Sequence, residues 1–187
     1  MEYESMHADS QLMVWWYVAL LPIGCFTLVV FFGAPYLPTL SKQIEAALDL
    51  LDLKSGETML ELGCGDGRVM LAAARRGWQV IGYELNPILV IITWLRTRRY
   101  RRQVTIVWGN FFRKTLPPAD GIFCFILPRL MPVIHNKILT AREYEQRNNP
   151  QNNQTKIRPL KLASFAFVIP DIKPAKQQDG VFLYKYK

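Results

Sequence analysis

Glu61-Leu62-Gly63-Cys64-Gly65-Asp66-Gly67-Arg68 carries a glycine at every second position from 63 to 67. Just before it, Thr58-Met59-Leu60-Glu61-Leu62 reads as a strand, and from Arg68 to Arg76 the spacing predicts a helix. Glycines between a strand and a helix let the backbone turn tightly and come close to a ligand. The helix that follows opens with N–H groups that have no partner inside the helix, which favours a polar or anionic ligand group.

The same alternation runs on in both directions. Upstream, Ser41 is a candidate N-cap for a helix over Lys42–Leu51, with Ile44, Ala47, Leu48 and Leu51 at helical spacing. Downstream, strands are predicted at 79–84, 104–108 and 121–127, and helices at 87–98 and 129–139, the first with Pro87 in its opening turn. Two final strands are predicted at 162–169 and 181–186, with Gln177-Gln178-Asp179-Gly180 as the turn that sends the last one back antiparallel. Short apolar strands alternating with helices imply an α/β fold whose sheet is mostly parallel and covered on both faces. Residues 143–156 are polar and rich in Asn and Gln, and read as a flexible surface loop.

Charge then separates two ligand classes. The nicotinamide fingerprint is Gly-x-Gly-x-x-Gly. Here Arg68 stands where its last glycine would fall, and Glu61 lies two residues ahead of the first one. A pyrophosphate is repelled by a nearby carboxylate, whereas the ammonium of a methionine moiety is attracted, so the pattern fits S-adenosylmethionine better than NAD. Glu84, at the end of the second strand, can accept hydrogen bonds from both ribose hydroxyls. After the third strand, Asn110 can bond an adenine edge while Phe111 or Phe112 lies near its face.

Ahead of this domain, no charged residue occurs from Gln11 to Ser41, and Leu12–Phe32 is apolar apart from Thr27. At about 1.5 Å per residue, roughly 20 such residues cross a hydrocarbon core. Trp15, Trp16 and Tyr17 near one end and Tyr36 near the other suit the two interfaces. A core helix of this length is rarely apolar all round, and a cleaved signal peptide needs a positive start where this chain has Glu2, Glu4 and Asp9. One uncleaved membrane helix is therefore expected, with the N-terminus outside and the α/β domain in the cytoplasm or a mitochondrial matrix. The division is an acidic tail at 1–10, the membrane helix and the start of a Pro-rich connector at 11–36, and the α/β domain at 37–187.

The chain has 187 residues, half of them hydrophobic, and a formal net charge of +8. That length suits one domain with a real core. A basic surface suits nucleic acid, anionic lipid or an acidic partner without choosing among them. Cys25, Cys64 and Cys124 form no CxxC pair, so no metal site is expected and three reduced thiols are. Arg96-Thr97-Arg98-Arg99-Tyr100-Arg101-Arg102 is either a solvated helix end or a contact for anionic headgroups. Nucleic acid is not an expected partner, since nothing like an RNA-binding module is appended and a membrane anchor is an odd place for one.

Residues 61–68 resemble motif I of the class I methyltransferases, whose fold is Rossmann-like. More narrowly, the chain resembles the small membrane-anchored lysine methyltransferases that modify the mitochondrial adenine nucleotide translocase and the ATP synthase c subunit, with their bacterial relatives. The shared features are the apolar anchor, the Pro-rich connector at Ala34–Thr39, the Gly-Asp-Gly-Arg turn and Gly82-Tyr83-Glu84-Leu85-Asn86-Pro87. The resemblance implies S-adenosylmethionine as cofactor, contacts to it at Glu61, Gly63, Gly65, Gly67 and Glu84, and a protein lysine as methyl acceptor. Asp66 in the turn, with Asn110 and Phe111, completes the candidate cofactor set. Asn110 stands where the family more often has aspartate.

The acceptor pocket is expected at the carboxyl ends of the strands. That brings in Pro128, which would shape a turn and expose carbonyls to an amine, and Phe167, which could line a channel for an aliphatic side chain. No dedicated base is visible. The expected partners are the lipid bilayer and an integral membrane protein substrate. Two other readings stay open: methylation of a lipid or other small amphiphile, and a non-catalytic membrane-tethered assembly factor.

Overall fold

The computed structural model describes residues 13–20, 23–24, 37–148 and 159–186. Helix α1 (Ser41–Leu51) leads into β1 (Thr58–Leu62), α2 (Arg68–Arg75), β2 (Gln79–Glu84), α3 (Pro87–Thr97) and β3 (Val104–Trp108). Then come β4 (Gly121–Cys124), α4 (Met131–Asn148), β5 (Leu160–Phe165), β6 (Lys176–Gln178) and β7 (Val181–Tyr186). The seven strands lie in the order β3-β2-β1-β4-β5-β7-β6. The first five run parallel, β7 is antiparallel to β5, and β6 is antiparallel to β7.

Alternating side chains split the core in two, as the pleat requires. Met59, Val80, Phe123 and Ala163 face one way, onto Leu48 and Leu51 of α1, Met70 and Ala73 of α2, and Trp78. Leu60, Ile122 and Leu162 face the other, onto Met131, Ile134 and Ile138 of α4. Helix α1 ends on Asp52 in the left-handed conformation, and Lys161 from β5 donates to the Leu51 carbonyl at 2.5 Å and the Asp52 carbonyl at 3.1 Å. A cation at a helix C-terminus is favourably placed. After β1 and its helix the chain builds β2 and β3 on one side, then crosses back to lay β4 on the other. The crevice between the carboxyl ends of β1 and β4 is where such sheets bind ligands.

Several boundaries differ from expectation. Leu40, not Ser41, is the N-cap of α1. The strand expected to reach 127 stops at Cys124. The one expected at 162–169 is Leu160–Phe165, because Ala166 turns left-handed (φ 66°) and takes the chain out of the sheet. The expected turn at 177–180 narrows to Asp179-Gly180, both at positive φ, since Gln177 and Gln178 pair with β7. That two-residue turn is the kind tight hairpins favour. The expected loop at 143–156 is helical as far as 148. Glu, Gln and Arg are good helix formers, and Arg142 pairs with Glu145 at 3.1 Å; residues 149–156 lie outside the described residues.

Residues 13–20 and 23–24 are helical. Among the described residues no helix is long and apolar enough to cross a membrane. The rest of the membrane helix expected over 11–36, the 1–10 tail and Cys25 lie outside the described residues.

Leu48 is fully buried between α1 and the sheet. Leu48→Ala should destabilise the domain by about 2–5 kcal/mol, measured as the shift in urea midpoint at unchanged slope.

Candidate functional site

The cavity at the crevice is lined by the glycine turn, by the ends of β2 and β4, by residues 109–112, and by Leu37, Pro38 and Thr39 of the connector. Its floor is the turn. Gly63, Gly65 and Gly67 all take positive φ (82°, 55° and 75°). Gly63 and Cys64 donate their N–H groups to the Tyr83 carbonyl at 3.0 and 2.8 Å, which ties the turn to β2. A Cβ on Gly67 would lie 2.5 Å from the Thr93 methyl of α3. The Thr93 hydroxyl in turn donates to the Gly65 carbonyl at 2.8 Å.

Three carboxylates surround this turn, in three different electrostatic states. Asp66 is neutralised: Arg68 reaches it at 2.8 Å, and Arg96 pairs with it while donating to its carbonyl at 2.7 Å. Arg68 also donates to the Thr39 carbonyl at 3.2 Å, fastening the connector to the rim. Asp66 lines the cavity, and its carboxylate is engaged in building the turn.

Glu84 is held by backbone. Its carboxylate accepts from Gly65, Leu85 and Asn86, each at 2.8 Å. Burial pushes its pKa up, and those three N–H groups pull it back. An ionised carboxylate offers about four acceptor positions. As it stands, Glu84 can take one ribose hydroxyl rather than the two expected, unless a backbone bond is released.

Glu61 is different. It is 3% exposed, and one of its oxygens has no hydrogen-bond partner. Burial pushes its carboxyl well above the usual range, Asp66 and Glu84 push further, and only the Met70 backbone N–H opposes them. The neighbouring Cys64 thiol is held high for the same reasons, burial first and then Glu61 and Glu84. The cavity floor is thus acidic and incompletely satisfied.

Four positions in the run at 82–87 have a physical explanation. A Cβ on Gly82 would collide with the Met70 thioether. Glu84 locks Gly65, Asn86 caps α3 by accepting from Ile88 at 2.9 Å, and Pro87 fills the first helical turn. Asn110 likewise caps a short 3-10 turn, Phe111–Arg113, accepting from Phe112 at 2.9 Å. Its side-chain oxygen is therefore engaged within the protein. Asn110 and Phe111 both line the cavity.

The far wall is apolar. Phe125, Ile126, Leu127, Leu130 and Phe167 line it, with Phe125 and Phe167 stacked at 6.2 Å. Phe167 arrives there because the chain leaves the sheet at Ala166, braced by Ser164, whose hydroxyl donates to the Phe167 carbonyl at 2.7 Å. Pro128 opens the 3-10 turn Pro128–Leu130, and its neighbours Leu127 and Leu130, not the proline, line the cavity. Sequence reading missed the connector wall, Phe125 and the clamp on the turn. Thr93 and Arg96 were the available signal: with Thr97 they are the polar residues of an otherwise apolar helix.

Residues 61–148 match the ANTKMT methyltransferase domain. The lysine N-methyltransferase of the ATP synthase c subunit from Xenopus laevis is 33% identical over 112 residues, spanning 57% of this chain and 47% of that protein. The adenine nucleotide translocase lysine N-methyltransferase of Mus musculus is 31% identical over 107 residues, spanning 56% and 46%. The chain thus spans about half the length of the curated relatives it matches. An RNA methyltransferase from Salinibacter ruber, solved with S-adenosyl-L-homocysteine, superimposes with a TM-score of 0.59 at 21% identity, covering 80% of this chain and 92% of that one.

Because Gly67 has both a left-handed backbone and a methyl group in its way, Gly67→Ala should cost about 1–3 kcal/mol. Thr93→Ser in the same chain removes that methyl, keeps the hydroxyl bond to Gly65 and should recover part of the loss, read from thermal midpoints of the two variants. Residues 61–148 thus match the ANTKMT methyltransferase domain in sequence, and the sheet has the Rossmann-like class I methyltransferase fold, in line with the resemblance drawn from residues 61–68 and 82–87.

Proposed function

We propose that this chain is an S-adenosylmethionine-dependent protein-lysine N-methyltransferase that works at a membrane on an integral membrane protein. The observation that carries the reading is Glu61. A buried carboxylate with an unpartnered oxygen, beside two other acids, suits a cation. The ammonium of the cofactor's methionine end supplies one. The residues present fit that ligand: Glu61 for the ammonium, the glycine turn for close approach, Glu84 for the sugar, and residues 109–112 for the base.

When bound, S-adenosylmethionine supplies an electrophilic methyl group on a sulfonium. The protein's part is to orient the acceptor in line and keep water away. Phe125, Leu127, Leu130 and Phe167 form an apolar wall that desolvates an incoming amine. Desolvation favours the neutral amine, which is the nucleophile. Among these four wall residues none can act as a base, so the wall works by shifting the amine's own proton equilibrium.

The membrane part is supported by the uncharged run at 11–41 and by the connector. Leu37–Thr39 lie near the end of that run and also line the cavity, and Arg68 pins Thr39 there. A single membrane helix at 11–36, with the acidic tail outside and the domain on the cytoplasmic or matrix side, fits that arrangement. Two of the relatives are named for lysine methylation of the ATP synthase c subunit and of adenine nucleotide translocase.

Purified chain added to isolated membranes with methyl-labelled cofactor should label a protein band as methyl-lysine. Glu61→Gln and Glu84→Ala should each cut that label at least tenfold, with the fold checked by circular dichroism. Label that extracts into organic solvent would favour an amphiphile as acceptor. Absence of any label, with cofactor binding intact, would favour a non-catalytic role.

A further inference from the structure

Helix α3 has two unlike sides. Inward, Leu89, Thr93 and Thr97 are buried, and Thr93 holds the Gly65 carbonyl. Outward, Ile91, Ile92, Trp94 and Leu95 are 59%, 37%, 61% and 48% exposed. At helical spacing Ile91, Leu95 and Arg98 fall along one line, with Trp94 on one flank and Ile92 on the other. Trp108, at the end of the edge strand β3, is 65% exposed, and its indole N–H donates to the Leu85 carbonyl at the head of α3 at 3.0 Å. The helix runs straight into Arg98, Arg99, Arg101 and Arg102, all exposed. Among the described residues no carboxylate forms a salt bridge with any of these four.

We propose that this outer face of α3, with Trp108 and the arginines that follow, docks flat on an anionic lipid bilayer. The two halves of the surface ask for different things, and one partner supplies both. Aliphatic side chains with two tryptophans suit the boundary between headgroups and acyl chains. Guanidinium groups suit lipid phosphate, which they bind by paired hydrogen bonds. Single-stranded nucleic acid would answer the arginines but leaves Ile91, Ile92 and Leu95 with nothing to stack on. A second copy pairing through the same face would cover the apolar stripe and bring more arginines with it, but no carboxylate. Leu37 and Leu40, where the connector meets α1 just after the 11–36 run, are exposed apolar side chains as well. The inference deepens the membrane part of the proposed function and is independent of its chemistry. With α3 seated, the cavity mouth is held at a set angle to the bilayer, since the same helix supports the glycine turn through Thr93 and Arg96.

The full chain is reconstituted into vesicles of phosphatidylcholine alone or mixed with phosphatidylglycerol, each carrying a lipid brominated near the headgroup. The emission that Trp94→Phe/Trp108→Phe removes is compared between the two. In the mixture that emission should be quenched, and in phosphatidylcholine alone the quenching should be lost. Replacing Arg98, Arg99, Arg101 and Arg102 by Gln should lower the docked-to-undocked ratio by roughly fivefold per arginine at low salt. A chain that floats with both vesicles but shows no quenching of this emission overturns the surface and leaves the anchor standing; its own N-terminal run or a second copy then covers α3. Equal quenching in both lipids overturns the anionic recognition. A chain that floats only with the mixture and is quenched there supports the surface and removes the anchor.

Discussion

A carboxylate taken out of water needs a partner, and Glu61 lacks one for half of its charge-bearing atoms. Leaving a buried charge uncompensated costs roughly 3–5 kcal/mol, so burial and the neighbouring acids disfavour ionisation of Glu61 in the free protein. The neighbouring acids sharpen the contrast. Asp66 is answered by two arginines and Glu84 by three backbone N–H groups, so neither needs a ligand. Of these three acids, Glu61 is the one whose environment improves when a cation arrives. The glycine turn, the crossover between β1 and β4 and the two buried faces of the sheet all serve to keep that carboxylate dry and open on one side.

The turn is over-determined from outside. Gly65 is gripped by Glu84 through its N–H and by Thr93 through its carbonyl, and Asp66 is clamped by Arg96 of α3 and Arg68 of α2. Positive φ at three glycines is therefore held by four side chains from three elements. Preorganisation of this kind lets a ligand bind without first ordering the loop. It also links α3, the connector and the cavity, since Arg68 bridges Asp66 to Thr39. A force applied at either the connector or the outer face of α3 meets the same clamp.

The parallel half of the fold could be read from sequence because each strand is a short apolar run bounded by turn residues. β1, β2, β3 and β7 were placed to the residue, and α2 and α3 to within one. What escaped was decided by tertiary context. Ala166 adopts a conformation that alanine has no intrinsic reason to choose, and the sheet ends there because Ser164 braces the chain beyond it. α4 outruns its buried residues on helix-forming charged side chains, which composition alone made look like a loop. At the site, Glu61, the glycines and Glu84 were visible as chemistry, but their division of labour was not. The string 61–68 holds Arg68 but nothing that says Asp66 will also be clamped by Arg96, which lies 30 residues away.

Calorimetry of cofactor binding in two buffers of different ionisation enthalpy tests the central claim most directly. The folded-state pKa of Glu61 is raised, so any stability this group lends the free protein is full below the ordinary carboxylate range and is lost as pH rises through the raised value. A cationic ligand favours the ionised form, so binding should release a proton in that window, and affinity should climb with pH and then level off. The account predicts a buffer-dependent heat in the wild type that Glu61→Gln abolishes. Heats identical in both buffers across that window, or no heat with S-adenosylmethionine at all, would contradict it.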